Sequence, residues 1–333
     1  MATNAYPLLI TLEYPPDVGG VANYYHNLLR CKVATRLDMP KPWWLMIPWL
    51  IGQVRLYNYS HVLVGQVLPL GTVALVVKLL TQKPYIVFTH GMDVLVPQTY
   101  WRKRWLLKRI LRHAQHIVAA SDYTKNLLFT FDRTLQNITV IHPAAHITPT
   151  TGVVKPAEPI PEKFILSVGR LVERKGFDRV IEALNKIPEI HYVIAGSGQD
   201  EPRLNELIKE YKLEKRVHIL KNLSDQEIAY LYQHCTCLVM PARQLSNGDV
   251  EGFGIVALEA NSFGKICIGG RSGGMSEAIQ DGITGILVDP TNPADLIKAL
   301  QRKNYAELES AAQHWVLNQT WEHRRQQFND MLK

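Results

Sequence analysis

The chain has 333 residues, 47% of them hydrophobic and 20% charged. That is the balance of a soluble, well-cored protein and excludes a low-complexity or disordered chain, and the length predicts two domains. The net charge of +7 is uneven: residues 1–150 hold 15 Lys and Arg against 6 Asp and Glu, a balance of +9, and the remainder holds 22 against 24. Such asymmetry predicts an anionic surface or partner for the N-terminal half.

Short apolar runs alternate with amphipathic stretches, the pattern of βαβ units and parallel sheets. Residues 8–11 read as the first strand, followed by Pro15-Pro16-Asp17-Val18-Gly19-Gly20. A glycine pair lets a backbone approach a ligand closely, although a plain tight turn looks the same. Pro42-Trp43-Trp44-Leu45-Met46-Ile47-Pro48-Trp49 adds apolar surface. Residues 61–64 form a strand inside the longest apolar stretch, residues 62–80. Gln66, Pro69, Gly71 and Lys78 interrupt that stretch. A transmembrane helix needs about 20 mostly apolar residues, so this run reads as strand, turn and buried helix.

Residues 85–89 form the next strand and end in Thr89-His90-Gly91-Met92-Asp93. Residues 100–112 are basic and aromatic at helical spacing, which suits either an anionic membrane interface or a helix docked on its own sheet. Residues 117–120 are a further strand. Residues 147–162 are rich in Pro, Thr and Gly without periodicity, the signature of a linker.

Residues 164–168 open the second half and lead into Gly169-Arg170-Leu171-Val172-Glu173-Arg174-Lys175-Gly176. A diphosphate leaving group would need cationic compensation of this kind as its charge grows. Arg supplies a planar fork and Lys a point charge, and a solvated basic loop remains the alternative. The helix over 177–187, the strand over 192–195 with Gly196-Ser197-Gly198, the strand over 217–220, the helix over 225–234 and the strand over 237–240 follow. Next comes Glu251-Gly252-Phe253-Gly254-Ile255-Val256-Ala257-Leu258-Glu259. Its glycine-rich turn exposes backbone N–H groups at a helix N-terminus, an anion site. Glu259 falls two turns further on. Alone, this pattern equally fits a surface helix with two unrelated glutamates. Residues 266–268 form the last strand read from the sequence.

Cys31, Cys235, Cys237 and Cys267 form no disulfide framework, which fits a reduced cytoplasmic setting. Cys235 and Cys237, next to His234, lack a second ligand pair of matching spacing and read as buried strand cysteines rather than a metal site. No charged segment followed by an apolar core opens the chain, so no signal peptide is expected. The dinucleotide fingerprint and the Walker A sequence are absent.

Together these motifs resemble the family-4 retaining glycosyltransferases of GT-B fold. The two glutamates eight positions apart, the Gly-Arg-x4-Lys-Gly loop, the Gly-Gly loop, the His-Gly-x-Asp run, Ala195-Gly196-Ser197-Gly198 and Ser272-Gly273-Gly274-x-x-Glu277 occur in the family's order. Asp249-Val250-Glu251-Gly252-Phe253-Gly254 looks most like the GDP-mannose-dependent phosphatidylinositol mannosyltransferases.

The resemblance implies two doubly wound Rossmann-like domains facing across a cleft. An acceptor-side domain would span residues 1–146, a linker 147–162 and a nucleotide-sugar domain 163–314. Residues 315–333 would form a helix that packs back on the first domain. It further implies that Arg170 and Lys175 hold the donor diphosphate and Glu259 the ribose. Glu251 with the amides of Phe253 and Gly254 would hold sugar hydroxyls, Gly20 would approach the phosphate, and His90 would contact the sugar near the reacting carbon. Gly19, Gly169, Gly196, Gly198, Leu220 and Ile255 complete the implied donor set.

The implied reaction is metal-independent, retaining hexosyl transfer from GDP-mannose to a lipid-linked or glycan acceptor at the inner membrane face, without cofactor or nucleic acid. A sugar-nucleotide epimerase, a glucan synthase or a silent binding protein of the same fold are the alternatives. The chain departs from the family in three places. No second strand is evident before His61, which predicts a trimmed first domain. Pro143-Ala144-Ala145-His146 stands for the family's Pro-x-Gly-x-Asp, and Lys221 for a glycine after the base-contacting strand.

Overall fold

In a computed structural model, which describes residues 6–17, 19–302 and 304–332, the chain divides into two compact units. The first comprises Met1–Pro143 with Arg324–Lys333, and the second Ala144–His323. Each is a parallel sheet clothed in helices, as short strands apolar on both faces require.

The first unit runs β1 (Leu8–Ile10), α1 (Gly20–Leu28), β2 (Lys32–Ala34), α2 (Met46–Tyr57), β3 (Val62–Val64), α3 (Leu70–Thr81), β4 (Tyr85–Thr89), α4 (Met92–Gln98), α5 (Trp101–His113), β5 (His116–Ala119), α6 (Asp122–Phe131) and β6 (Ile138–Val140). Its six strands lie in the order β2-β1-β3-β4-β5-β6. Alternation sorts the strand side chains between two faces. Leu8, Ile10, Val62, Val64, Tyr85, Val87 and Ile117 pack with Leu50 and Val54 of α2, Val73 and Val77 of α3, and Leu107 and Ile110 of α5. Phe88 points the other way, edge-on to Tyr24 and Tyr25 of α1.

The second unit runs β7 (Ile165–Val168), α7 (Phe177–Leu184), β8 (Tyr192–Ala195), α8 (Glu201–Glu210), β9 (Val217–Leu220), α9 (Asp225–His234), β10 (Leu238–Met240), α10 (Ile255–Ser262), β11 (Cys267–Gly270), α11 (Met275–Ala278), β12 (Gly285–Val288), α12 (Pro293–Leu300) and α13 (Ala306–Val316). Its order is β12-β11-β10-β7-β8-β9. Two apolar clusters lie on opposite faces, one around Leu166, Leu238, Leu258 and Met275, the other around Ile165, Ile181, Ile194 and Ile268. Cys235, Cys237 and Cys267 are buried.

A last helix, α14 (Trp321–Met331), straddles the division and belongs to the first unit from Arg324 onward. There Phe328 stacks on Phe88 with ring centroids 5.8 Å apart, and Gln327 donates to the carbonyl of Val140 at 2.8 Å.

One expectation needs correcting. The missing second strand exists: β2 pairs in parallel with β1, Leu9 opposite Val33. Its side chains run from exposed Lys32 to buried Ala34, so it carries no apolar run. The stretch 62–80 resolves into β3 and α3, and no helix among the described residues is long and apolar enough to cross a membrane.

The basic helix α5 shows how its charges are used. Leu107, Ile110 and Leu111 face the core. Arg112 forks onto the buried carboxylate of Asp132, with Nε 2.7 Å from Oδ2, and Lys108 lies 3.7 Å from the same oxygen. The Arg112 hydrogen bond holds the Asp132 carboxyl well below its usual range. Outward, Arg102 lies over the Trp101 ring and Arg109 over Trp105, at 5.2 and 5.1 Å. Trp101 is 76% exposed and Trp105 59%.

Candidate active site

In the second unit the loops at the carboxyl ends of β7, β8, β10 and β11 converge. Such ends collect ligands because helix N-termini and exposed N–H groups gather there. After β7, Gly169 is followed by exposed Arg170 and then by a 3-10 turn, Glu173–Lys175. The turn folds Lys175 back so that its ammonium occupies the place a Gly169 side chain would take. Gly196, after β8, packs so closely that any Cβ on it would overlap the carbonyl oxygen of Gly169. Gly198 crowds the backbone of Leu171 in the same way, and the amide of Leu171 donates to Ser197 at 2.9 Å. The glycines are therefore consumed in stacking two loops backbone to backbone.

After β10, Glu251 reaches the same cations. Its Oε2 lies 3.7 Å from Arg174 Nε and 4.0 Å from Lys175 Nζ, and Asp249 Oδ1 lies 3.7 Å from Arg174 Nε. These separations are too long for hydrogen bonds. Glu251 Oε2 and Arg174 Nε are both buried without a hydrogen-bond partner among the described residues. Burial, followed by the positive charges of Arg174 and Arg170, pushes Lys175 below its ordinary value against the pull of Glu251 and Glu259. A cation held this way is primed to gain from an arriving anion.

The loop from Glu251 enters α10 through Gly254, left-handed at φ 89°. Phe253 beneath it is buried and Ile255 half-buried, and Gly274 after β11 donates its N–H to the carbonyl of Glu251 at 3.0 Å. Glu259 is buried on α10. Its carboxylate accepts from the Tyr232 hydroxyl at 2.8 Å and from the Ile147 amide at 3.3 Å, and burial raises its pKa despite both bonds. The segment standing for Pro-x-Gly-x-Asp thus reaches Glu259 through the Ile147 main chain, and His146 Nε2 lies 3.2 Å from Asp225. Leu220 ends β9 buried, and Lys221 beside it pairs with Glu201 at 2.9 Å.

Sequence reasoning missed the brace behind the loop. Buried Arg243, just after β10, forks onto Asp178 of α7 with both bonds at 2.8 Å and reaches Glu173 at 3.2 Å. Its own amide donates to the carbonyl of Arg174 at 2.7 Å. Burial opposes ionisation of Asp178, but Arg243 and Arg203 hold its carboxyl below the ordinary value. An Arg in an apolar β10 terminus was the available signal.

In the first unit Gly19 precedes α1 in extended conformation and Gly20 begins it, whereas Val18 lies outside the described residues. Chain neighbours aside, a Cβ on Gly19 would meet nothing within 4 Å among the described residues. His90, half-buried after β4, places Nε2 2.8 Å from the Tyr25 hydroxyl, and burial lowers it to about 4. Asp93 accepts the His90 amide at 2.9 Å, and burial raises its carboxyl to about 6.

Two parallel doubly wound units, the second with a basic glycine-packed loop facing a carboxylate, define a glycosyltransferase of GT-B fold. Residues 8–148 match the model described as Glycosyltransferase Family 4, and residues 153–312 that described as Glycosyl transferases group 1. The chain belongs to glycosyltransferase family 4.

It is similar to a GDP-mannose-dependent alpha-(1-6)-phosphatidylinositol monomannoside mannosyltransferase of Mycolicibacterium smegmatis, with 25% identity over 98% of this chain and 97% of that protein. It is 30% identical, over 72% of its length, to an uncharacterised glycosyltransferase of Methanocaldococcus jannaschii, where the matched stretch spans 64% of the relative. Among solved structures it resembles Anabaena HepE in complex with UDP and glucose, with TM-score 0.78, 18% identity and coverage of 98% and 99%. It also resembles a sucrose-phosphate synthase from Thermosynechococcus elongatus, with TM-score 0.81, 19% identity and 98% of each chain covered.

The stacked loops give a stability prediction. Gly196→Ala should destabilise the protein by about 1–3 kcal/mol, because backbone must yield to the methyl group. The exposed neighbour change Ser197→Ala should stay within about 0.5 kcal/mol. Urea unfolding of both variants measures the difference, and equal midpoints would remove the close-packing account.

Proposed function

We propose that the chain transfers a hexosyl group, with retention and without a metal ion, from a nucleotide-sugar donor to an acceptor held at an anionic membrane surface. GDP-mannose is the donor favoured by the Asp249-to-Gly254 motif and by the likeness to GDP-mannose-dependent mannosyltransferases. One observation carries the reading: Glu251 Oε2 and Arg174 Nε are buried and 3.7 Å apart, beside Lys175, and neither has a hydrogen-bond partner among the described residues. Buried polar groups left unmade cost about 1–3 kcal/mol each, so such a pair awaits a ligand's oxygens.

In this reading Arg170 and Lys175 hold the diphosphate, and Glu259 the ribose. Glu251 with the amides of Phe253 and Gly254 holds sugar hydroxyls. Gly169, Gly196 and Gly198 keep the loops close enough for main-chain contact, with Leu220 beside the base and Ile255 opening the helix. Gly19 and Gly20 approach the phosphate, and His90 the sugar. The acceptor oxygen bonds to the anomeric carbon on the face that the leaving phosphate oxygen vacates, and that oxygen takes the acceptor proton. Charge grows on the diphosphate as its bond to carbon breaks, and the cations stabilise it most at that moment.

The membrane part rests on α5 and the Trp43–Leu45 turn. Tyr100, Trp101 and Trp105 are exposed among Arg102, Lys103, Arg104 and Arg109, and Trp43 and Trp44 are exposed before α2. Each Lys or Arg near an anionic leaflet contributes about 1 kcal/mol, and inserted aromatic rings add apolar area.

Four outcomes follow. With GDP-mannose as donor, Arg170→Ala and Lys175→Ala should each lower kcat/KM by the equivalent of about 2–4 kcal/mol. Exposed Arg170 should do so without changing the unfolding midpoint. Glu259→Gln should chiefly weaken nucleoside diphosphate binding, and Glu251→Gln chiefly lower kcat. Near-wild-type turnover in both cation variants would defeat the clamp. Turnover should persist in excess EDTA, since cationic side chains supply what a divalent ion otherwise provides; loss with EDTA and rescue by Mg²⁺ or Mn²⁺ would overturn metal independence. Finally, the protein should cosediment with phosphatidylglycerol-containing vesicles at low salt and release at high salt. Replacing Arg102, Lys103, Arg104 and Arg109 with Gln should abolish this and spare GDP binding, while Lys108 and Arg112 stay with Asp132. Undiminished sedimentation of that variant would point to a soluble acceptor.

A further inference from the structure

The imidazole of His90 has a defined hydrogen-bonding partner, and the partner's own geometry decides where the imidazole proton sits. Tyr25 of α1 places its hydroxyl 2.8 Å from His90 Nε2. The same hydroxyl is hydrogen-bonded to the main-chain carbonyl of Gly65, just after β3. A phenol has one hydrogen and a carbonyl has none, so the hydroxyl donates to Gly65. Its oxygen must then accept from the ring, and Nε2 carries the proton.

The carbonyl is fixed in place, because a side chain on Gly65 would overlap Thr11 and crowd the Tyr25 ring. The imidazole is fixed too. Tyr24 and Tyr25 lie edge-on to it with centroids 5.3 and 5.5 Å away, and its main-chain amide is tied to Asp93. Turning the ring over would set a carbon against the Tyr25 oxygen and lose the bond. Burial keeps the ring neutral at physiological pH. A neutral ring protonated at Nε2 bears its lone pair on Nδ1, which has no hydrogen-bond partner among the described residues.

We propose that Tyr25 is a positioning residue that locks His90 in the Nε2–H tautomer, so that Nδ1 accepts a hydrogen bond from a hydroxyl of the donor sugar. The second half rests on the reading of His90 as a sugar contact; the first half does not. The arrangement makes His90 an orienting acceptor and excludes it as a proton donor to the substrate. It also gives α1 a task beyond carrying Gly20: its second turn sets the chemistry of a residue two strands away in the sheet order β1-β3-β4.

The test uses the full chain labelled with 15N-histidine and long-range 1H–15N spectra between pH 5.5 and 8. In wild type the His90 signals should be those of the Nε2–H tautomer, without titration across that range. Tyr25→Phe should give a mixture of tautomers. In parallel, Tyr25→Phe should lower kcat/KM for GDP-mannose hydrolysis about tenfold, the scale of one lost hydrogen bond, with the Kd for GDP unchanged. His90→Asn, whose amide stands at the Nδ1 position, should retain more activity than His90→Gln, whose amide stands at the Nε2 position. An Nδ1–H tautomer in wild type, or one unchanged in Tyr25→Phe, overturns the proposal. A tautomer that shifts as expected while Tyr25→Phe and His90→Ala both turn over donor like wild type overturns the sugar contact alone, and with it the His90 part of the function proposed above.

Discussion

Lys175 sits where a side chain of Gly169 would be, 4.0 Å from Glu251 and flanked by Arg174. Keeping a cation there requires three things at once. The backbone beneath it must be bare, the neighbouring loop must also be bare so that it can close over, and a carboxylate must offset the charge. Gly169, Gly196 with Gly198, and Glu251 meet those needs from the ends of three different strands. The Arg243–Asp178 brace holds the turn from behind. A buried ion cluster of this sort is weak evidence for stability, because desolvation offsets its Coulomb attraction. Its separations of 3.7 to 4.0 Å leave two buried atoms without a hydrogen-bond partner among the described residues, and on that the donor site proposed above rests.

The same physical distinction, between charges already committed and charges available, sorts the basic residues of the first unit. Sequence alone treats α5 as one cationic stripe. In the structure Arg112 and Lys108 turn to Asp132 and pin the helix to its sheet. Arg102, Lys103 and Arg109 instead lie over the exposed rings of Trp101, Tyr100 and Trp105. A face that pairs cations with exposed aromatic rings suits an interface where the rings insert and the charges meet phosphates.

Much of this protein was legible in its sequence. The strands β1, β3, β4, β5 and β7 to β11 could be read from their runs of residues, β4, β8 and β9 to the residue. The strands that escaped were β2, β6 and β12, three of the four sheet edges, whose apolar runs are broken by Lys32, Thr139 and Gly285. The fourth edge, β9, keeps Val217, Ile219 and Leu220 and was read from them. The glycines, the two glutamates and the basic loop were likewise visible, because each is set by a local need for a turn, a cap or a charge.

What the sequence by itself determined was the βαβ order and the family motifs, with the glycines, cations and carboxylates that they carry. Tertiary structure alone decided which of them face one another. It turned Glu259 toward Tyr232 and Ile147, brought Arg243 to Asp178 across 65 positions, and set Tyr25 against His90 across the same span. Those pairings depend on strand order, which no local pattern encodes: β7 lies between β10 and β8, so residues distant in the chain share one sheet edge. Hydrogen-bond direction is settled only there as well, because whether an imidazole nitrogen donates or accepts depends on the partner packed against it.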